Sequence, residues 1–511
     1  MRLFLTALFV LLTIFPVKAQ TERFSNFVSD SLDGYILKGL ETWNIPGLSI
    51  GVVKDGNIVF SKGYGVKSIE EQQPVSSRTI FMIGSLTKAI TSATTVLASI
   101  NDTLSLEDPI QKWIPEFQLS SSPASQQIIV EDILTGRTGL GSHQGDFLFW
   151  KTHHSTSHLL SILPELSLQS QIRRRFIYNN LSYLIIDELL KRSVNRNWAK
   201  AVESYFFNPL KMRHSYALSS TIPDNTDIAS PHLIENGQLV RIATENIDNM
   251  GPAGSISSTA PDMCRWMTAF MDMGILDGQE VFPVSAIKLL RKPYQLRGYR
   301  TRKDNPDQLR FFFSGMGWSI HDEFDQLTYF HDGGTDGFKS YMMIIPESRF
   351  GVVVLTNSRS HNFAQAIVDE LQYAVHNKPF QSVNQEYLSE YQEEEQAELA
   401  AQSALQKKIA ASRAIVEDHY TGMYSNPLYG KIRIEKSESG LRLHLLSHQK
   451  NLSGTLYAIE ENLLWCVFDQ PEFAPIKITF TSKENSPLSF KLSAEYSGDG
   501  AYVFTKVGIR P

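Results

Sequence analysis

The chain has 511 residues, of which 42% are hydrophobic and 20% charged, and its formal net charge is −6. That length exceeds one ordinary core and argues for two domains, and the balance is that of a globular rather than a disordered chain. There is no basic excess to attract nucleic acid. The short runs Arg173–Arg175 and Arg300–Lys303 read as solvated or salt-bridged surface.

Arg2 precedes an almost unbroken apolar run, Leu3–Val17, and then Val17-Lys18-Ala19. Small residues at those two positions predict leader cleavage after about Ala19, ahead of Gln20, so that residues 1–19 form a signal peptide. The run is too short to span a bilayer convincingly, no cysteine follows it to carry a lipid, and no later stretch approaches spanning length. A secreted or periplasmic protein without stable membrane insertion is expected.

Asn26–Trp43 has the apolar spacing of an amphipathic helix. Leu48–Val53 and Ile58–Tyr64 read as strands joined by the turn Lys54-Asp55-Gly56-Asn57. Phe81–Ile100 is long and apolar enough for a buried helix, and Leu159–Leu163, Leu181–Lys191 and Ala260–Met273 are also predicted helical. Tyr329–Phe330, Ser340–Ile345 and Gly351–Thr356 follow as strands and Asn362–Tyr373 as a closing helix. Strands at both ends with helices between them predict one sheet assembled from distant segments beside a helical region. The stretches Gly141–His158 and Tyr294–Asp307 are expected to be loops lining a cleft.

Composition changes near residue 380. Gln385–Arg413, with Glu393-Glu394-Glu395, reads as a solvated helix or linker, and short strands such as Lys431–Glu435, Leu441–Leu446 and Lys477–Thr481 follow Tyr420. The predicted domains are 20–378, a charged helical linker at 379–415, and a small barrel or sandwich at 416–511. Cys264 and Cys466 fall in different predicted domains, so no disulfide is expected between them.

The chemistry centres on Gly84-Ser85-Leu86-Thr87-Lys88. Residues i and i+3 share a helix face, so Ser85 and Lys88 can touch. A serine hydroxyl needs a nearby base, and a lysine in a dry pocket has its pKa lowered towards that role. The pattern recurs at Ser285–Lys288 and Ser447–Lys450, but only Ser85 follows a glycine and opens an apolar helix. A second element is Tyr178-Asn179-Asn180, where the phenol is a candidate base and Asn180 a candidate to orient the lysine or a substrate amide. Its bland alternative is a half-buried Tyr beside a helix cap, and Tyr424-Ser425-Asn426 shows that the pattern recurs. The third is His331-Asp332-Gly333-Gly334. Its glycines admit substrate close to a strand, with Gly334 N–H as a candidate oxyanion donor. His331 is a candidate to position the phenol or meet a substrate anion. His143-Gln144-Gly145 shows how readily a His–x–Gly arises by chance.

In this order, with about 90 and then about 150 residues between them, the three elements resemble the Ser-x-x-Lys, Tyr-x-Asn and His-x-Gly signatures of serine β-lactamase-like hydrolases, in the class C and peptidase family S12 branch. Pro46-Gly47-Leu48, Ile133–Leu140, Asn208-Pro209-Leu210 and Gly254–Thr259 agree with it over about residues 27–375. The resemblance implies an α+β fold, an antiparallel sheet flanked by helices with a helical subdomain. Ser85 is then acylated, Lys88 and Tyr178 manage its proton, Asn180 helps to hold Lys88, and Tyr178 activates the deacylating water. Ser85 N–H and Gly334 N–H, with Gly333 beside them, form the oxyanion site. No metal or organic cofactor is implied. His331 stands where true β-lactamases carry lysine, which argues for a peptidase or esterase, of D-amino-acid peptidase type among others. Tyr420-Thr421-Gly422-Met423-Tyr424 resembles, more weakly, the lipocalin-like domain appended to some of these hydrolases.

Other chemistries fit less well. Gly-x-Ser-x-Gly is absent, which removes the usual α/β-hydrolase signal. His154 and His158 have i,i+4 spacing beside His153 but lack the His-Glu-x-x-His context. The alternative function is a penicillin-binding sensor that acylates without efficient turnover. The expected partner is a small-molecule or peptide substrate.

Overall fold

The computed structural model describes residues 23–507 apart from 236, 245, 302–308, 360, 412–417, 439, 450–451, 461, 471–472, 474, 482–487 and 494–500. The expected leader, 1–19, lies outside the described residues.

One antiparallel sheet of eight strands dominates the first 375 residues. Its order is 57–65, 47–54, 350–356, 338–345, 326–335, 319–323, 309–314 and 295–301. The first two strands form the expected hairpin, and Gly47–Lys54 pairs on its other side with Phe350–Thr356. Nearly every side chain of these two strands is buried, because the sheet is covered on both faces. Leu48, Ile50, Val52, Val352 and Val354 pack with the helices Leu32–Thr42 and Phe363–Val375. Val53 and Val353 face the other way, into the core that holds the helix Ala260–Met271.

The other half is helical, built on Thr87–Asn101 and Asn180–Val194. The helix expected over Phe81–Ile100 begins late. Phe81-Met82 pairs with Ser257-Ser258 as a two-residue strand, and Gly84–Leu86 makes a single 3-10 turn before the helix proper. Gly84 has φ +52°, which a helix cannot continue through. The stretch from Tyr294, expected to be a loop, is instead the strand Gln295–Thr301 at the sheet's far edge; 302–308 lie outside the described residues. With Leu309–Ser314 and Ser319–Glu323 it escaped the pattern because these strands are largely exposed or half-exposed and carry mixed polar and apolar residues. The strand expected at Tyr329–Phe330 runs from Gln326 to Thr335, through both glycines.

Val383–Ala411 is helical, as the Glu-rich composition suggests, but its first turns are not simply solvated. Trp43 Nε1 donates to Asn384 Oδ1 (2.6 Å), and Tyr387 Oη donates to Asp369 Oδ2 (2.7 Å). Beyond it, eight strands from Gly422–Asn426 to Ala501–Lys506 close into a barrel. Strict alternation drives the closure: Ile432, Ile434, Leu441, Leu443 and Leu445 point inward while Lys431, Arg433 and Glu435 point out. Its interior residues are continuous with the core of the helical half. Cys264 and Cys466 are both buried free thiols.

Candidate active site

The turn that carries Ser85, and the helix that follows it, are held by hydrogen bonds to backbone carbonyls. Ile83 N–H donates to Ile256 O (2.9 Å), and Ser340 Oγ donates to Ile83 O (2.8 Å). Thr91 Oγ1 donates to Pro252 O (2.8 Å) and itself receives Trp198 Nε1–H (2.9 Å). A Cβ on Gly84 would stand 2.7 Å from Gly334 N, so only glycine lets the serine turn lie against the strand that carries the third motif. The helical spacing then does what it promised: Lys88 Nζ lies 3.0 Å from Ser85 Oγ, and Tyr178 Oη lies 2.7 Å from the same atom.

Lys88 is 2% exposed. It also donates to Ala253 O (2.7 Å), and its Nζ lies 4.8 Å and 5.7 Å from the ring centroids of Tyr178 and Tyr183. Burial drives its pKa down to about 7, against the opposing pull of the Asp146 and Asp332 carboxylates. A neutral amine therefore exists near neutral pH, with one N–H for Ala253 O and a lone pair for the Ser85 hydroxyl. Burial pushes the Tyr178 phenol well above its ordinary value, and its bond to Ser85 only partly opposes that. The free site thus favours a neutral phenol beside an amine that can accept a proton.

His331 lies 6.4 Å from Tyr178 between ring centroids, and its Nδ1–H is 2.5 Å from Asp332 O. Burial lowers its pKa to about 4, leaving a neutral imidazole. The two glycines behave differently. Gly334 lines the cavity with open space where a side chain would be, whereas a Cβ on Gly333 would stand 2.1 Å from Ile83 O and 2.3 Å from Ser340 Oγ. Gly333 therefore serves close packing behind the site, and Gly334 faces it. Asn180, expected beside Lys88, instead donates its amide to Asp146 Oδ2 (2.7 Å), while its neighbour Asn179 caps the helix by accepting from Ser182 N–H (2.9 Å).

These groups open on a cavity of about 620 Å³. The segment 141–158 lines it through His143, Asp146, Phe147 and Trp150, and Arg297 reaches it from the sheet edge. His448, Phe468, Phe473 and Ile476 of the barrel complete the wall. The barrel is fastened beside them by His153 N–H to Ser447 O (2.9 Å) and Gln449 N–H to Lys151 O (2.8 Å). Lys151 Nζ in turn pairs with Asp336 (2.8 Å), which also accepts from Trp150 Nε1 (3.0 Å).

The rival motifs go elsewhere. Ser285 and Lys288 are exposed on a surface helix, Ser447 serves the docking, and Tyr424 is buried in the barrel with its hydroxyl on Tyr420 O. His154 and His158 lie with ring centroids 4.0 Å apart at a 51° tilt, bonded to the carbonyls of Leu148 and Leu428. Among the described residues no three metal-ligating side chains converge. Sequence reasoning missed Ala253, Tyr183, Asp146 and the barrel residues. A backbone acceptor leaves no trace in residue type, and the barrel residues reach the site only by long-range docking.

The Beta-lactamase family model matches residues 32–375. Protein flp of Staphylococcus aureus (strain MW2) is 22% identical over 73% of this chain and 71% of its own length. The unguisins hydrolase ungD of Aspergillus violaceofuscus is 27% identical over 65% of this chain, and the match spans 62% of that protein. The fold is similar to that of the octameric penicillin-binding protein homologue from Pyrococcus abyssi, with a TM-score of 0.58 at 18% identity, over 93% of this chain and 99% of that one.

Proposed function

We propose, from the premise that this chain belongs to the Beta-lactamase family and is a serine hydrolase of that kind, that it hydrolyses peptide, amide or ester substrates through a Ser85 acyl-enzyme. The observation that carries the reading is the Lys88–Ser85–Tyr178 contact set, with a buried amine of lowered pKa at 3.0 Å and a phenol at 2.7 Å from one hydroxyl.

In acylation the neutral Lys88 amine takes the Ser85 proton as Oγ bonds to the carbonyl carbon. The carbonyl electrons move onto oxygen, which the amides of Ser85 and Gly334 stabilise. Tyr178 Oη hands its proton to the departing amine or alkoxide as that bond breaks, and Lys88 restores it. Water then releases the acid and returns Ser85. His331 at the cavity wall, with Gly334 beside it, suits a peptidase or esterase of the peptidase S12 branch, among them D-amino-acid peptidases. The aromatic wall favours substrates with an apolar group. The leader-like residues 1–19 support export, and the motif Tyr420–Tyr424 supports a lipocalin-like kinship for the barrel.

The test is an intact-mass time course with benzylpenicillin and with a p-nitrophenyl ester, comparing the wild type and Ser85→Ala. An adduct or turnover confined to the wild type is expected. Equal ester turnover in Ser85→Ala would overturn the reading.

A further inference from the structure

His143 stood in the sequence as an instance of a chance motif, and the structure gives it a different setting. It lines the catalytic cavity, and its ring centroid is 5.1 Å from that of Tyr178, the side chain bonded to the nucleophile. Its backbone N–H donates to Tyr178 O (3.1 Å), so the two residues are tied through main chain as well as rings. The ring's Nδ1 is 2.9 Å from Asp146 Oδ2, and the same oxygen accepts from Asn180 Nδ2 at 2.7 Å. Asp146 Oδ1 is buried, with no hydrogen-bond partner among the described residues. The carboxylate is thus committed on one oxygen and fixes one imidazole tautomer, Nδ1 protonated and Nε2 a lone-pair acceptor. Among the described residues Nε2 has no hydrogen-bond partner, and the side chain, which lines the cavity, is 48% exposed. His143 also holds a positive φ of 56°.

A base held by a carboxylate, on a residue that lines the cavity holding the nucleophile, has the arrangement of an orienter and a proton acceptor. We propose that His143, oriented by Asp146 and Asn180, is the base that activates the water which deacylates Ser85; this rests on the acyl-enzyme reading above. In that step the water oxygen bonds to the acyl carbon while Nε2 takes its proton, and the carbonyl electrons move onto oxygen. Their return breaks the bond to Ser85 Oγ, which is reprotonated by Tyr178 and Lys88. The acid leaves as carboxylate, its O–H proton replacing the one that Tyr178 and Lys88 gave to Ser85, and the imidazolium gives up its own proton to solvent. The arrangement relieves Tyr178 of a role for which its buried, neutral phenol is poorly suited. It also gives Asn180 a function through Asp146 rather than through Lys88.

The test is pre-steady-state ester hydrolysis by the full chain, with p-nitrophenyl acetate as probe and intact mass reporting the acyl-enzyme. Asparagine tolerates positive φ, so His143→Asn keeps the turn while removing the base. The expected result is a burst of full amplitude, acylation within about threefold of wild type, and deacylation slowed on the order of 100-fold, with adduct persisting by mass. His143→Gly with added imidazole is expected to recover part of the lost deacylation rate. Deacylation unchanged in His143→Asn overturns the assignment of the base while leaving Ser85 acylation intact. Acylation and deacylation lowered equally also overturns it, because that marks a residue that only holds the turn. No Ser85 adduct and no turnover in the wild type fells the hydrolase reading and this proposal with it.

Discussion

The two walls of the cavity are built on opposite principles. The wall with Ser85, Lys88 and Tyr178 buries polar groups. An amine is sunk in an apolar helix, a phenol is dehydrated, and glycines press backbone against backbone. The barrel wall presents Phe468, Phe473 and Ile476, and the docking beside it is sealed by Phe147 stacked on Tyr429 (5.3 Å) and Tyr502 (6.0 Å). Burying a charge-bearing group opposes folding, whereas burying aromatic surface favours it. Replacing the buried polar groups of the first wall should therefore remove activity at little cost in stability, and replacing the aromatic rings of the second should cost stability first.

The sharpest break is Lys88→Met. Removing the proposed base should lower kcat/KM by about 10²- to 10⁴-fold. The apolar replacement of similar length removes a buried amine, so Tm should be unchanged or raised. A large fall in Tm with partial activity would show that the amine serves packing rather than chemistry. The wild type carries the matching pH signature. The acylation base must be unprotonated, and burial has brought Lys88 down to about 7, so kcat/KM should rise with pH through that value and level off above it. A profile flat from pH 5 to 9 would take Lys88 out of the base role.

Gly84→Ala is expected to be next in size. Its Cβ would stand 2.7 Å from Gly334 N at a φ of +52°, moving both proposed oxyanion donors. Removing one such donor costs about 10²- to 10³-fold in kcat, and that range is expected here, with a stability loss of about 1–3 kcal/mol. Unchanged kcat in stopped-flow ester hydrolysis would dissociate this close approach from catalysis.

The same contrast governs what was legible in the sequence. Ser85 and Lys88 are three residues apart, and helix geometry alone brings them together. Tyr178 and His331 could be read only through motif order, because folding carries them across 93 residues and more. Asn180 lay in the right segment with the wrong partner, since a short polar side chain is free to bond whichever group the fold supplies, here Asp146. Long apolar runs such as 47–54 and 350–356 announced the centre of the sheet, while edge strands with mixed exposure such as 295–301 did not. The barrel strands were visible by alternation, but nothing local to Phe473 or His448 states that they face a serine in another unit.

Phe147→Ala tests the second wall. Losing a partly buried ring and its stacks should cost about 2–3 kcal/mol. The barrel should then loosen first, as a separate low-temperature step in calorimetry, while hydrolysis of a small ester persists. One cooperative transition displaced as a whole would mean that the barrel and the catalytic half unfold as one unit, consistent with their continuous core.

The smallest expected effect is the most selective. Phe473 lines the cavity, and Lys151 Nζ lies 5.1 Å from its ring centroid. Phe473→Ala leaves Ser85, Lys88 and Tyr178 untouched, so kcat for p-nitrophenyl acetate should stay within twofold. An ester with a long or aromatic acyl group reaches further and loses apolar contact. Its kcat/KM should fall about fivefold, equivalent to about 1 kcal/mol of transition-state binding. Equal losses for short and long esters would point to a shifted nucleophile and deny the barrel a part in selectivity. A gain for the bulkier ester would reverse the sign, making Phe473 a ring that limits the acyl group rather than one that holds it.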